Sequence, residues 1–389
     1  MAVSANRQQL KRAGTHKRKK NQNFYDYSLI IIVVLLSMFG LVMLYSSTAY
    51  VDAIAHAGNS FYTVQKQAVF TVIAFIAMFF VSNIDYHIWG KLVKFAYPLS
   101  VILGITVLFF GKEVNGQRRW FAIGPISLQP AEFAKLTIII TIATLVNFLY
   151  PFLKKYRILV LLAFVTLPIF LPVVSANLSS GIIIFGIAIS MAYVASKRKW
   201  IFPFCIAGGI GAIVMAFKSG LLEKVLDSYQ MDRIYAWFDP VAYSSTNGFQ
   251  TVQGLYAIGA GGIFGRGLGE SVQKMGYLPE AQNDMIFSII CEELGLFGAS
   301  LLILLFVLLI WRFMIIANNA PDFLGMMMVV GVLAHIAIQV LLNIAVVTNT
   351  IPNTGVTLPF ISYGGSSVLF LMIEIGLVLN VSSRIKVEN

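Results

Sequence analysis

Charge is scarce in this chain and cysteine is nearly absent. Only 12% of the 389 residues are charged, 58% are hydrophobic and the mean hydropathy is +0.81. That balance excludes a soluble domain, whose interior could not hide so much apolar surface, so lipid is the expected solvent. The two cysteines, Cys205 and Cys291, both fall inside apolar runs, which excludes a disulfide framework and makes them small core residues. A nucleotide loop is missing too. The glycines of Gly265-Arg266-Gly267-Leu268-Gly269 lack the G-x-G-x-x-G spacing and follow no strand, so no nucleotide is expected. No small-residue cleavage site follows the first apolar run, which is expected to remain as an anchor. Internal repeats and low-complexity tracts are absent as well.

What is present is a succession of apolar runs at 28–48, 64–83, 92–110, 131–149, 158–174, 180–196, 200–217, 286–313, 323–346 and 364–382. They predict an all-α polytopic membrane protein of about ten transmembrane helices, with a large extracytoplasmic loop, 218–285, between helices 7 and 8. A basic tail, 1–23, is too polar to pack and is expected to be disordered beside anionic headgroups, leaving 24–389 as the transmembrane domain. The net charge of +11 is thus a membrane-orientation pattern rather than a sign of nucleic acid. Arg7, Lys11, Arg12, Lys17, Arg18, Lys19 and Lys20 precede the first run, and Lys91, Lys154, Lys155, Arg157, Lys197, Arg198, Lys199 and Arg312 lie beside even-numbered loops. The loops 49–63, 175–179 and 347–363 carry no Lys or Arg, so both termini are expected to be cytoplasmic. Two outer loops, 111–130 and 218–285, are charged against this preference. An anionic ligand outside the membrane explains that, and a solvated small domain explains 218–285 equally well.

Three segments could carry chemistry. Asn115-Gly116-Gln117-Arg118-Arg119-Trp120 sets paired guanidiniums beside an interfacial Trp. Such a pair could clamp a diphosphate, or be surface arginines next to a belt residue. Gln129-Pro130-Ala131-Glu132-Phe133-Ala134-Lys135 follows, and its Glu132 and Lys135 share a helix face at i, i+3, as a structural pair or as part of a site. The second segment runs from Gly265 through Lys274 and on to Tyr277-Leu278-Pro279-Glu280-Ala281-Gln282-Asn283-Asp284. Asp284 heads span eight, where half-desolvation could make it a general base; read from the residues alone, an N-cap is the simpler role for Asn283 and Asp284. Glu292 and Glu293, roughly 12 Å deeper by helical rise, imply a bundle-facing or watery cavity. The third segment, Pro352 through Ser367, is uncharged and rich in Gly, Ser and Pro. It suits re-entrant backbone facing a polar headgroup, or a simple turn into span ten. His335 is expected to be a satisfied core residue.

In this order and on this topology, the three segments resemble the SEDS family (shape, elongation, division and sporulation proteins) over nearly the whole chain after the tail. Within it, Tyr277-Leu278-Pro279-Glu280-Ala281 and Leu358-Pro359-Phe360-Ile361-Ser362 are closer to the division and sporulation branches than to the elongation branch. Two positions depart from the family pattern. Gln282-Asn283 replaces the usual His-Thr before the aspartate, removing a titratable neighbour, and Ser179 replaces a frequent acidic residue after span five.

The resemblance implies a peptidoglycan glycosyltransferase that polymerises lipid II at the outer face of the bacterial cytoplasmic membrane. It implies septal wall synthesis at the division site, in company with a class B penicillin-binding transpeptidase and other divisome proteins. It makes Asp284 the catalytic carboxylate, with a divalent cation, Mg or Mn, left open there. It also moves Arg118, Arg119, Trp120, Gln129, Glu132, Lys135, Lys274, Glu280, Ser362, Gly364, Gly365 and Ser366 toward the substrate, with Arg118, Arg119 and Lys274 balancing a leaving diphosphate. Two rivals stand beside this expectation. A lipid II flippase would use Glu292 and Glu293, although no inverted repeat or mid-span helix break is legible, and a scaffold would only recruit the transpeptidase.

Overall fold

A computed structural model describes residues 25–385, except 115–116, 124–125, 150–156, 197–198, 201, 205–206, 209–210, 212–214, 216–218 and 220–227. The helices are α1 (Tyr27–Ala55), α2 (Tyr62–Ser82), α3 (Tyr86–Phe110), α4 (Pro130–Leu149), α5 (Arg157–Ala176), α6 (Leu178–Ala195), α7 (Ser228–Phe238), α8 (Phe249–Gly261), α9 (Ile286–Asn318), α10 (Phe323–Val347) and α11 (Gly365–Ser383). Among the described residues eight of these are long and apolar enough to cross a membrane, and α5 contributes a shorter apolar stretch. Nine expected spans therefore have a helix. The tenth expected span, 200–217, falls for the most part outside the described residues, and the expected tail, 1–23, lies wholly outside them.

Polar residues set the helix starts. Asp26, Asp85, Asn177 and Asp322 each accept a backbone N–H from the first turn of α1, α3, α6 and α10, satisfying donors that have no partner within the helix. Inside the bundle, small residues let backbones approach. A Cβ on Gly376 of α11 would lie 2.6 Å from the carbonyl oxygen of Met78 in α2, and one on Gly40 of α1 would lie 2.4 Å from that of Phe360.

The loop 111–130 is not irregular, as the expectation of an all-helical chain would have it. It folds as an antiparallel meander of β1 (Lys112–Val114), β2 (Gln117–Ile123) and β3 (Ile126–Leu128). Hydrogen bonds gather this meander with the other long connections at one end of the bundle. Arg119 donates to the Ala176 carbonyl, Arg233 to that of Asn353 and Trp237 to that of Asn349, while the Ser179 hydroxyl donates to that of Thr354.

The sequence shows no mid-span break, but the structure has one. Gly295, inside α9, has φ 64° and ψ −166°. The segment after α8 threads into the gap. Arg266 and Gly267 donate N–H to the carbonyls of Glu292 and Glu293 at 2.9 Å, and Leu296 and Phe297 donate to those of Gly262 and Ile263. The backbone groups freed by the break are thereby re-satisfied by protein, the condition for non-helical backbone at membrane depth. Glycine is required because the chains nearly touch: a Cβ on Gly261 would sit 1.8 Å from the Cys291 carbonyl oxygen, and one on Gly265 2.1 Å from that of Glu293. The glycine run thus serves helix-to-loop packing.

Candidate functional site

Asp284 lies where the connections converge. The residue is 7% exposed, and it precedes α9, whose N-cap is Met285 with no side-chain capping bond. The simple cap reading of Asp284 is therefore not what the fold builds. Its carboxylate instead receives Gln250 Nε2 of α8 at 3.3 and 3.5 Å, while its backbone carbonyl accepts from Asn343 of α10 at 2.8 Å. Gln250 is oriented in turn, its Oε1 accepting from Asn353 at 2.9 Å.

Burial pushes the Asp284 carboxyl up to about 7, aided by the negative charge of Glu280 and opposed by Arg233 and the Gln250 hydrogen bond. The group is thus poised to exchange a proton near neutrality. Two buried polar atoms close by, Asn343 Oδ1 and Thr354 Oγ1, have no hydrogen-bond partner among the described residues. Buried groups of this kind cost about 1–3 kcal/mol each when left unpaired, and they mark capacity for a polar ligand.

The expected site residues divide into groups. Glu280 is exposed, with φ 56°, and accepts from the Asn283 side chain. Ser362 is a clip: its hydroxyl donates to the Asn283 carbonyl at 2.6 Å and accepts the Leu358 N–H at 2.7 Å, while Tyr363 N–H reaches the Gln282 carbonyl. These bonds fix the third segment against the Asp284 turn. Gly364 donates to Gln67 of α2, a Cβ on Gly365 would lie 2.9 Å from the Phe70 ring, and the Ser366 hydroxyl is buried without a partner among the described residues.

The meander residues behave differently. Neighbours along a strand face opposite sides, so Arg118 and Arg119 of β2 do not form the expected paired clamp. Arg118 donates to the Phe109 carbonyl at 3.0 Å and lies 3.6 Å from Glu113, whereas Arg119 turns to Ala176. Trp120, half-buried, lies opposite Lys112. Arg119 and Gln129 line a cavity with Gly104, Pro130, Pro172 and Asn177. That cavity shares no residue with the Asp284 group. Asn115-Gly116 lies outside the described residues.

Burial corrects two expectations. Lys274 was expected to face a leaving diphosphate, yet its ammonium is buried against Glu293 at 2.7 Å and Ser46 at 2.9 Å. It neutralises a carboxylate that the bundle cannot hydrate. Glu132 and Lys135 are an ion pair at 2.8 Å, exposed by 5% and 1%, and belong to an internal chain of polar groups. Lys135 donates to Gln339, whose Oε1 also meets His335, and His335 meets Glu374. His335 is indeed satisfied on both ring nitrogens. Sequence reasoning missed Gln250, Arg233, Asn343 and Asn353, whose signal lies in distant pairings and not in local spacing.

Among the described residues no three His, Cys, Asp or Glu side chains converge as a metal-binding group. Asp284 with nearby Glu280 does match the sparser donor set of a hard divalent cation, which takes one or two carboxylates and completes its shell with water and phosphate oxygens.

A helical bundle in lipid, with a buried, protonatable carboxylate under stapled loops at one end, defines a multi-pass membrane protein built for chemistry at its surface. The chain belongs to the FtsW/RodA/SpoVE family, whose model, described as "Cell cycle protein", matches residues 27–387. It is 41% identical over 362 residues to "Stage V sporulation protein E" of Bacillus subtilis (strain 168), covering 92% of this chain and 96% of that one. It is 36% identical over 381 residues to "Probable peptidoglycan glycosyltransferase FtsW" of the same organism, covering 95% and 93%. Its fold matches a chain from "Structural coordination of polymerization and crosslinking by a peptidoglycan synthase complex" with TM-score 0.75 at 24% identity, over 92% of this chain and 97% of that one. The Thermus thermophilus rod shape determining protein RodA matches with TM-score 0.67 at 24% identity, over 94% and 98%.

Proposed function

We propose that the chain is a peptidoglycan glycosyltransferase that polymerises lipid II at the outer face of the bacterial cytoplasmic membrane. The observation that carries this reading is Asp284, a carboxyl near neutrality in its protonation, placed under the loops at one end of the bundle. The relatives' names supply the substrate class. With both termini cytoplasmic, that end is extracytoplasmic, where lipid-linked disaccharide is presented.

The acceptor's GlcNAc 4-hydroxyl attacks the anomeric carbon of the donor MurNAc. The new glycosidic C–O bond forms with inversion as the bond to undecaprenyl diphosphate breaks, and the hydroxyl proton passes to Asp284. Gln250 holds the carboxylate toward this space, and the free Thr354 hydroxyl and Asn343 carbonyl oxygen are available to sugar hydroxyls. In the alternative role of this carboxylate, Asp284 with Glu280 would hold a divalent cation, Mg or Mn, which would supply positive charge to the diphosphate. The working partner is a penicillin-binding transpeptidase of class B, consistent with the peptidoglycan synthase complex whose chain this fold matches. Septal synthesis with other divisome proteins is the proposed role, with the sporulation branch as its near neighbour.

Purified with its transpeptidase, wild type is expected to convert lipid II into glycan polymer. Asp284→Asn, at matched complex yield, should lose about 10²–10⁴-fold in rate, the usual worth of a positioned general base. Full activity in that variant would remove Asp284 from the mechanism. The break at Gly295 beside buried Glu292, Glu293 and Lys274 favours one second reading, a lipid II flippase. Translocation in vesicles without polymer would select it.

A further inference from the structure

With Arg118, Arg119 and Lys274 taken up by other contacts, and Arg233, whose charge reaches Asp284, donating to the Asn353 carbonyl, a diphosphate at this end calls for a further cation. Four cations that the sequence offers at or near this end already face carboxylates: Arg118 Glu113, Lys135 Glu132, Arg266 Glu292 and Lys274 Glu293. Lys66, in the second turn of α2, is exposed and is within 4 Å of no carboxylate among the described residues. Its ammonium is 2.6 Å from the Tyr62 hydroxyl and 4.1 Å from the centre of that ring. The nearest acid in sequence, Asp52, acts on this ammonium only through space, its hydrogen bonds lying elsewhere: it is buried and accepts both the backbone N–H and the hydroxyl of Thr63, at 2.9 and 2.8 Å.

The surroundings of Lys66 lead to the Asp284 turn. Tyr363 lies within electrostatic reach of its ammonium, and Tyr363 N–H is bonded to Gln282, two residues from Asp284. The next residue of α2, Gln67, binds Gly364 N–H. One helix end thus carries both a clip for the third segment and a cation at its edge. Lys112 is also exposed but stands on β1, with no such link.

We propose that Lys66 binds the phosphate groups of the polyprenyl-diphosphate substrate, holding its headgroup beside Asp284. This deepens the glycosyltransferase reading and rests on it for the identity of the lipid. A lysine ammonium acts as a point charge for phosphate, and the N-terminal end of α2 adds its dipole in the same sense. The same chemistry would recognise an anionic phospholipid headgroup, so the test separates the two sources.

Binding of undecaprenyl diphosphate should be measured on the full chain with its transpeptidase in phosphatidylcholine nanodiscs, for wild type, Lys66→Ala and Lys66→Arg. Melting of each variant confirms that it is folded. Lys66→Ala is expected to weaken binding about tenfold, as for loss of one charge-assisted contact, with Lys66→Arg near wild type, and to raise KM for lipid II more than it lowers kcat. Equal binding by all three overturns the proposal. So does a difference that appears only when anionic phosphatidylglycerol is present, since Lys66 would then be reading bulk headgroups. If Lys66→Ala weakens binding yet wild type makes no polymer, the lipid-phosphate site stands and the polymerase reading fails.

Discussion

Asp284 shows what one residue's surroundings decide. As free aspartate it would be ionised at neutral pH; under the loops, burial and Glu280 raise it to about 7. A general base must be deprotonated to act, so the rate of polymerisation should rise with pH through about 7 and level above it. Gln250→Leu removes the hydrogen bond that favours the charged form, so the acid limb should move to higher pH; an unmoved limb would separate that limb from Asp284. The sign for stability is opposite. A raised folded value means that the carboxyl's contribution is fully present below the unfolded value of about 3.8 and is lost as pH rises through about 7. Asp284→Asn, a neutral mimic, should therefore raise the melting temperature more at pH 8 than at pH 5, while it lowers turnover. Asp284 stood out because it heads an apolar run, but its own residues pointed first to a cap, and the family resemblance alone moved it to the site. Gln250 and Asn353 were not, because nothing in their own neighbourhoods says that they meet 103 residues apart.

At the scale of elements, apolar runs located every described span, since a stretch that must cross lipid is written continuously in the sequence. Helix ends were less legible: α1 continues to Ala55, beyond its apolar run, because polar residues such as Asp52 are satisfied by neighbouring structure. The β1–β3 meander and the break in α9 were missed for a related reason. Both depend on pairing between separate segments, and the glycines of Gly265–Gly269 read as a failed phosphate loop rather than as part of the partner of a broken helix. The packing gives a direct contrast. Gly261→Ala must push its Cβ into the Cys291 carbonyl, and Gly295→Ala adds strain at positive φ together with a 2.3 Å approach to the Gly265 nitrogen, whereas Gly259 in α8 has open space around it. The first two substitutions should lower the melting temperature in detergent by several degrees or prevent accumulation, on the order of 1–3 kcal/mol or more each. Gly259→Ala should be neutral or gain up to about 1 kcal/mol from helix propensity. Equal tolerance at all three positions would mean that the loop does not thread α9 in lipid.

Across the whole molecule, the apolar bundle is cross-braced by charges. Glu132 and Lys135 of α4, Gln339 and His335 of α10 and Glu374 of α11 form one chain of contacts. Gln339 extends it to the Thr357 carbonyl at 3.0 Å, in the segment whose Gly355 borders the Asp284 carboxylate. The braces thus connect the bundle interior to the loop that shapes the candidate site. Their energetics are testable because buried ion pairs punish asymmetry: removing one partner strands a charge in low dielectric, while removing both leaves none. Among the described residues, Lys135→Met would leave Glu132 with the Ser367 hydroxyl alone, 3.3 Å away. That variant should lose about 3–5 kcal/mol, read as a large drop in melting temperature or in folded yield. Glu132→Gln in the same chain should recover most of the loss, since the stranded charge is then gone and Gln is similar in shape. If the double variant is as unstable as Lys135→Met alone, the penalty comes from lost packing of the lysine stem, and the pair braces the fold by shape rather than by charge.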